Sequence, residues 1–362
     1  MTRNPRLVAL ATAAPEHVIR QDDAQGLAAK LFASSREVDR RLLQVFENAQ
    51  IETRHLCMPL EWFASSHPFA DKNDLYVEHA ERLGADVVES VLECAGLAPR
   101  DVDHVVFVSS TGLATPSIDV RLANRLGFRS DVRRTPVWGL GCAGGAVGLS
   151  RARDFALADP TARVLLVALE LCGLTFQHAD LSKRNLVASS LFADGAAAAL
   201  VLGAEAKAGG GNGHRTLEML ASRSTLWPDT LDVMGWTVDG EGLHVVFSSD
   251  IPTIVRDLLR PSLLAFLEAC GLTLETLPHL VTHPGGVKVL NAYAEALDRP
   301  PAAFRHARDV LREYGNMSSP SCLFVLERFL DAGEIGADEH AVVAALGPGF
   351  CSEFVLLRGA VA

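Results

Sequence analysis

Residues 138–148 read WGLGCAGGAVG, and an apolar helical pattern carries on from there to about Ala158. Gly141, Gly144 and Gly145 crowd around one thiol, Cys142. Glycines grouped in this way mark a sharp turn whose backbone another group can approach closely. A turn that runs straight into a helix is the strand-turn-helix step of an α/β fold. The thiol then lies beside a helix N-terminus, where free backbone N–H groups and the helix dipole favour a thiolate. A small buried cysteine among packing glycines fits the same letters equally well.

Outward from this stretch, short apolar runs alternate with helical patterns. The runs predict strands over 104–110, 164–170, 196–203, 279–283, 341–346 and 354–358, with a further strand opening the chain. Their continuous apolar character fits strands covered on both faces. Helices are predicted over 78–97, 117–126, 143–158, 252–270, 287–297, 303–313 and 319–332. Pro252 and Pro320 stand near helix starts and Gly271 follows a helical run, as caps should. A second strand-turn-helix unit, VTHPGGVKVLNAYA at 281–294, echoes the first. The expectation is an α/β fold in two related halves, 1–213 and 214–362, with the tract AGGGNG (208–213) as the loop between two strands.

Composition narrows the function classes. Of the 362 residues, 49% are apolar and 21% charged, which describes a folded globular chain. A net charge of −11 argues against a nucleic-acid surface. No apolar run approaches the roughly 20 residues of a membrane span. The seven cysteines are odd in number and scattered, with no CxxC pair, so neither a disulfide framework nor a metal site is expected. A reducing cytoplasm suits them.

Two further segments carry chemistry. In THPGG (282–286), His283 falls at a strand end, where open α/β sheets place ligands. Its ring can deprotonate a thiol or donate to a developing oxyanion; a histidine satisfied by nearby backbone is the plainer alternative. In YGNMSSP (314–320), Asn316 either caps a helix or donates from a carboxamide that never titrates. The turn GPGF (347–350) shapes a cavity floor or merely turns. Together, Cys142, His283 and Asn316 form a nucleophile with two hydrogen-bond donors.

In this order, GCAGG, THPGG, YGNMSSPS and GPGF resemble the type III polyketide synthases, the chalcone and stilbene synthase-like enzymes, from about residue 5 to the C-terminus. The resemblance implies a thiolase-like fold of five α/β/α/β/α layers, built from duplicated halves and usually paired as a homodimer. It implies that Cys142 holds the starter and growing chain as a thioester. His283 and Asn316 would bind a thioester carbonyl while malonyl-CoA loses carbon dioxide, and His283 would pair with Cys142 to hold it as a thiolate. SLFADGAAAA resembles the family's LFGDGAAA segment, which makes Phe192 a gate between a CoA tunnel and the cavity. A second gate of the plant enzymes falls on Val245. Cys172, Thr175, Thr111, Thr115, Ser318, Gly349 and Phe350 match cavity positions; Thr115 stands where plant enzymes reach across the dimer.

At the CoA entrance, three basic positions of the plant enzymes fall on Arg41, Gln44 and Asn48, and Arg54 and Lys288 are added as neighbouring cations. This weakened basic grip leaves an acyl carrier protein open as starter donor. CoA thioesters are the implied substrates, with no cofactor. The altered gate and the segment MPLEWFASSHPFADKNDLYVEHA (58–80) look like bacterial and fungal members that extend fatty acyl starters to alkylpyrones or alkylresorcinols. A tetrahydroxynaphthalene synthase using malonyl-CoA alone is the alternative within the family, and Cys172 supports it. A ketoacyl-ACP synthase III-like condensing enzyme, a cysteine-dependent thioester hydrolase and a non-catalytic binding protein are the alternatives outside it.

Overall fold

The computed structural model describes residues 4–35, 38, 41–210, 216–248 and 250–360. The expected boundary at 213/214 lies outside the described residues. In chain order the strands are β1 (Arg6–Ala13), β2 (His17–Arg20), β3 (Thr53–Leu56), β4 (His104–Val108), β5 (Arg133–Val137), β6 (Arg163–Leu171), β7 (Asp194–Leu202), β8 (Leu217–Leu226), β9 (Met234–Asp239), β10 (Gly242–Phe247), β11 (His279–Thr282), β12 (His340–Gly347) and β13 (Cys351–Gly359).

Nine of these share one sheet, ordered β11-β12-β13-β8-β1-β7-β6-β4-β5. Its seam is short, because β1 and β8 pair only at Arg6↔Glu218 and Leu7↔Leu217. The same pattern runs outward from both sides of that seam. On one side β7 is antiparallel to β1 and to β6, and β4 is parallel to β6. On the other, β13 is antiparallel to β8 and to β12, and β11 is parallel to β12. A repeated topology of this kind is what two related halves produce.

The helices Gly144–Ala158 and Ser321–Asp331 each touch strands from both sides of the seam, and they touch each other. They form a central layer. Outside it, the helix Phe69–Ala95 packs on β1, β6 and β7 through Tyr76, Ala80, Leu83, Val87 and Val91, a spacing that lines one helical face. On the opposite outer face, Phe266 of the helix Arg260–Ala269 stacks on Phe354 of β13, ring centroids 5.8 Å apart. Strands β6 and β7 are buried almost end to end, which explains their unbroken apolar sequences.

Two of the expected helices differ in extent or regularity, and the α-helices Gln21–Leu31, Val45–Asn48 and Lys183–Leu191 were not expected. The helix expected from 78 begins at Phe69, because the polar run Asp71–Asp74 masks its apolar spacing; Lys72 in that run is buried and bonds Phe176 and Gln177. The helix expected over 252–270 is broken by a π turn at Val255–Leu259. Pro261 follows, and a proline cannot supply the regular i→i−4 bond.

The two central helices cross where Gly145 faces the turn before the second helix. A Cβ at Gly145 would stand 2.2 Å from the Ser319 carbonyl oxygen and 2.8 Å from the Cys322 sulfur. Gly145→Ala is therefore expected to force the helices apart, lowering stability by about 1–3 kcal/mol. Activity should fall with it, since Ser318 and Asn316 lie on the displaced segment. A thermal melt with a turnover assay checks this; an unchanged midpoint with full turnover would show that the crossing tolerates a side chain.

Candidate active site

Gly141 has φ 45° and opens a 3-10 turn, Gly141–Ala143, that runs into the central helix Gly144–Ala158. A left-handed φ suits glycine, and it sets the Cys142 thiol at the mouth of the helix. The thiol is buried, with the Ser318 hydroxyl and the Asn316 side chain within hydrogen-bonding reach. Burial pushes its pKa up to about 11; the neighbouring Glu170 carboxylate adds to this, and the bonds from Ser318 and Asn316 only partly oppose it. Burial thus works against the expected resting thiolate and favours the thiol. The dipole of one helix does not outweigh removal of the anion from water.

Asn316 caps no helix, since the helix that follows begins at Ser321. Its backbone bridges the segment at Phe192: the Asn316 N–H donates to the Leu191 carbonyl and its carbonyl accepts from the Ala193 N–H, both at 2.9 Å. The side-chain Oδ1 accepts from the Ser318 N–H at 2.8 Å, and Nδ2 donates to the Gly285 carbonyl at 3.2 Å. Ser318 has φ 59°, strained for a non-glycine residue, and this turns its N–H back onto the carboxamide. With the oxygen committed, the second N–H of Nδ2 is left for the Cys142 side.

His283 directly follows β11, with its backbone N–H donating to the Ala344 carbonyl of β12 at 2.9 Å. Both ring nitrogens are buried without a hydrogen-bond partner among the described residues, so nearby backbone does not satisfy this histidine. Burial lowers its pKa to about 3, which keeps the imidazole neutral. A neutral ring holds one donor and one acceptor. Its edge lies against Gly285, the residue whose carbonyl orients Asn316. Raised thiol and lowered imidazole both run against the expected thiolate–imidazolium pair and favour an uncharged one.

Of the expected positions, Thr111, Cys172, Phe192, Val245 and Ser318 wall the chamber over Cys142, together with Ser110, Trp236, Phe247 and Pro348. Cys172, Phe192, Trp236 and Val245 form a second wall as well, that of an adjoining apolar cavity. Thr175 lines that second cavity and not the Cys142 chamber.

Other expected positions lie elsewhere. Phe350 is fully buried against Trp227, its N–H donating to Thr230, and neither it nor Gly349 lines the chamber; Pro348 is the GPGF residue that does. Thr115 is exposed and lines neither cavity in its own chain. Arg41 and Lys288 are exposed, as an entrance requires. Arg54 is corrected: it is 4% exposed and bonds backbone carbonyls, so it offers no surface cation to CoA.

Sequence reasoning missed Glu170. It is completely buried, and it accepts from the Ser110 N–H (2.8 Å) and from the hydroxyls of Thr111 (2.8 Å), Ser319 (2.9 Å) and Ser109 (3.4 Å). Burial raises its pKa to about 7 against these donors. One carboxyl thus ties the strand ends around Cys142 to the turn carrying Ser318. Trp236 was missed too, although its hairpin was legible: Asp239 and Gly242 close β9 and β10 over a two-residue loop that opens with Gly240.

Chemically, the site offers a buried sulfur with the Asn316 carboxamide and the Ser318 hydroxyl in reach, and a His283 ring against Gly285; uncharged donors of this kind stabilise negative charge forming on a carbonyl oxygen. Residues 3–206 match the family model for the N-terminal domain of chalcone and stilbene synthases, and residues 218–361 match the model for their C-terminal domain. The chain belongs to the chalcone and stilbene synthase family. It is 40% identical to a 1,3,6,8-tetrahydroxynaphthalene synthase of Streptomyces peucetius, over 98% of this chain and 93% of that one. The crystal structure of a tetrahydroxynaphthalene synthase from Streptomyces coelicolor superposes with a TM-score of 0.92 at 32% identity, covering 98% of this chain and all of the other. A polyketide synthase from the brown alga Ectocarpus siliculosus gives 0.90 at 26% identity, covering 99% of each.

This type III polyketide synthase is therefore an acyltransferase with the thiolase-like fold. Among its described residues, no helix is long and apolar enough to cross a membrane, and no three His, Cys, Asp or Glu side chains group to hold a metal ion.

Proposed function

We propose that this synthase loads a fatty acyl group from CoA onto Cys142, extends it with malonyl-CoA by decarboxylative Claisen condensation, and closes the chain to a small pyrone or phenol. The adjoining apolar cavity carries the reading of the starter. Leu27, Leu31, Phe32, Phe46, Leu56 and Phe63 give it an aliphatic and aromatic lining, and it meets the Cys142 chamber at Phe192 and Val245. Apolar walls of this kind hold a hydrocarbon tail by removing it from water. In the condensation itself, His283 and Asn316 donate to the thioester oxygen that becomes an enolate as carbon dioxide leaves. The enolate carbon then attacks the Cys142 thioester carbonyl, the C–S bond breaks to release the Cys142 sulfur, and the lengthened chain is left on the CoA of the extender.

The second reading, malonyl-CoA as the only substrate and tetrahydroxynaphthalene as the product, is favoured by the 40% identity to the S. peucetius enzyme of that name. Cys172, buried at the junction of the two cavities, fits either reading. We further infer a homodimer, supported by the bare edge of β5 and the exposed Thr115 loop and Trp138 beside it.

Mass spectrometry of products from malonyl-CoA with an acyl-CoA panel from C2 to C18 separates the readings. Pyrones or resorcinols that grow with the starter are expected, made fastest from the longer chains. A product formed from malonyl-CoA alone and unchanged by any added starter would establish the second reading and overturn the first.

A further inference from the structure

Arg54 lies in β3, and its guanidinium is buried with no carboxylate in ion-pair contact among the described residues. Nη1 donates to the Ser189 carbonyl at 2.5 Å and to the Phe192 carbonyl at 3.0 Å. These are carbonyls at the end of the helix Lys183–Leu191, where no intrahelical donor remains and a cation is favoured. The stem of the same side chain runs under Gly315, where a Cβ would stand 2.9 Å from Arg54 Cγ and 3.1 Å from Cδ. Gly315 precedes Asn316, and Asn316 is bridged to Phe192.

The charge that acts on Arg54 is that of Asp194, fully buried and held by the N–H groups of Cys57 (2.8 Å) and Gly173 (2.7 Å). Burial lowers the Arg54 pKa to about 10 while Asp194 pulls it up; burial raises that of Asp194 to about 6. Gly173 adjoins Cys172 in the cavity wall. One buried cation thus stands behind three segments that surround Cys142: the wall at Cys172, the gate at Phe192 and the donor Asn316.

We propose that Arg54 is a positioning residue, which fixes the gate at Phe192 and the carboxamide of Asn316 in register with Cys142. The inference rests on the condensing role read above for Asn316. It gives a buried arginine at a cavity wall a task in the reaction that requires no contact with CoA.

The test compares two steps in the full-length protein. Loading of Cys142 from a long acyl-CoA, read by intact mass, needs the thiol and an open passage. Decarboxylation of malonyl-CoA needs the Asn316 donor in place. In folded Arg54→Met, decarboxylation kcat is expected to fall at least about tenfold with KM within about threefold, the pattern of a lost transition-state contact. Loading should stay within about threefold of wild type, and products should shift to shorter, prematurely released lactones. Arg54→Lys should recover part of the loss. Where Arg54→Met does not fold, Arg54→Lys carries the same comparison, with a smaller decarboxylation defect and intact loading.

Wild-type decarboxylation and product pattern in a folded Arg54 variant would overturn the proposal. So would loading and decarboxylation falling by one common factor, which marks a merely structural arginine. A wild-type enzyme that loads acyl groups but never decarboxylates malonyl-CoA would instead overturn the condensing reading itself.

Discussion

Cys142→Ala should abolish chain extension while leaving decarboxylation of malonyl-CoA measurable. The sulfur is where the growing chain would be attached, and no other cysteine beside the chamber replaces it. Cys172 shares the cavity wall, yet burial and the neighbouring Glu170 push its pKa well above the usual range, and only the short 3-10 turn Cys172–Thr175 follows it, with no α-helix. Decarboxylation calls on a different part of the site, the neutral donors His283 and Asn316. Chain-extended product at the wild-type rate from this variant would refute the nucleophile assignment.

The same thiol makes a second measurable statement. With its pKa pushed up to about 11, alkylation of Cys142 in wild-type enzyme should keep accelerating with pH between about pH 5 and 9. A resting thiolate–imidazolium pair would instead give a plateau across that range. If the predicted rise is seen, the proton leaves sulfur during attack on the acyl-CoA, and a neutral His283 has an acceptor nitrogen free to take it.

Much of the fold was legible because buried strands announce themselves. The apolar runs at 164–170 and 196–203 became β6 and β7, central in the sheet and covered on both faces. Strand β5 was not read, because RRTPV contains a proline and carries exposed arginines; both are tolerated only because β5 is an edge. The site divides in the same way. Cys142, His283 and Asn316 stand in turns where the glycine pattern is visible along the chain. Glu170 gave no signal: it ends an apolar strand as one charged letter, and only folding brings Ser109, Ser110, Thr111 and Ser319 around it. Arg54 was misassigned because a cation near the entrance in sequence looks like a phosphate ligand until its burial is known. The thiolate expectation is opposed for a related reason. A helix N-terminus can be read from sequence, but the desolvation that works against it depends on the side chains that close the chamber.

His283→Ala and Asn316→Ala should each slow malonyl-CoA decarboxylation by roughly 10²-fold or more, the usual loss on removing one donor from a developing oxyanion. The two are held for this task in different ways. Asn316 is locked: Ser318 N–H fixes its oxygen and the Gly285 carbonyl fixes its nitrogen, so the remaining N–H needs no reorganisation as charge forms. His283 is locked by burial, with neither ring nitrogen bound in the resting structure. An imidazole left unpartnered in that way stabilises nothing in the free enzyme, so it can make its bond in full when the enolate appears. Two consequences distinguish these roles from simple packing. Since the imidazole pKa lies near 3, His283 should donate as a neutral group, and decarboxylation should show no loss on raising the pH through the ordinary histidine range near 6.5. Since the donors act on one oxygen, the double variant should lose less than the product of the single losses. Undiminished decarboxylation in both single variants, measured as acetyl-CoA formed from malonyl-CoA, would remove the donors from the mechanism. A rate that falls through pH 6.5 with the histidine present would show that the imidazolium, and not the neutral ring, meets the charge.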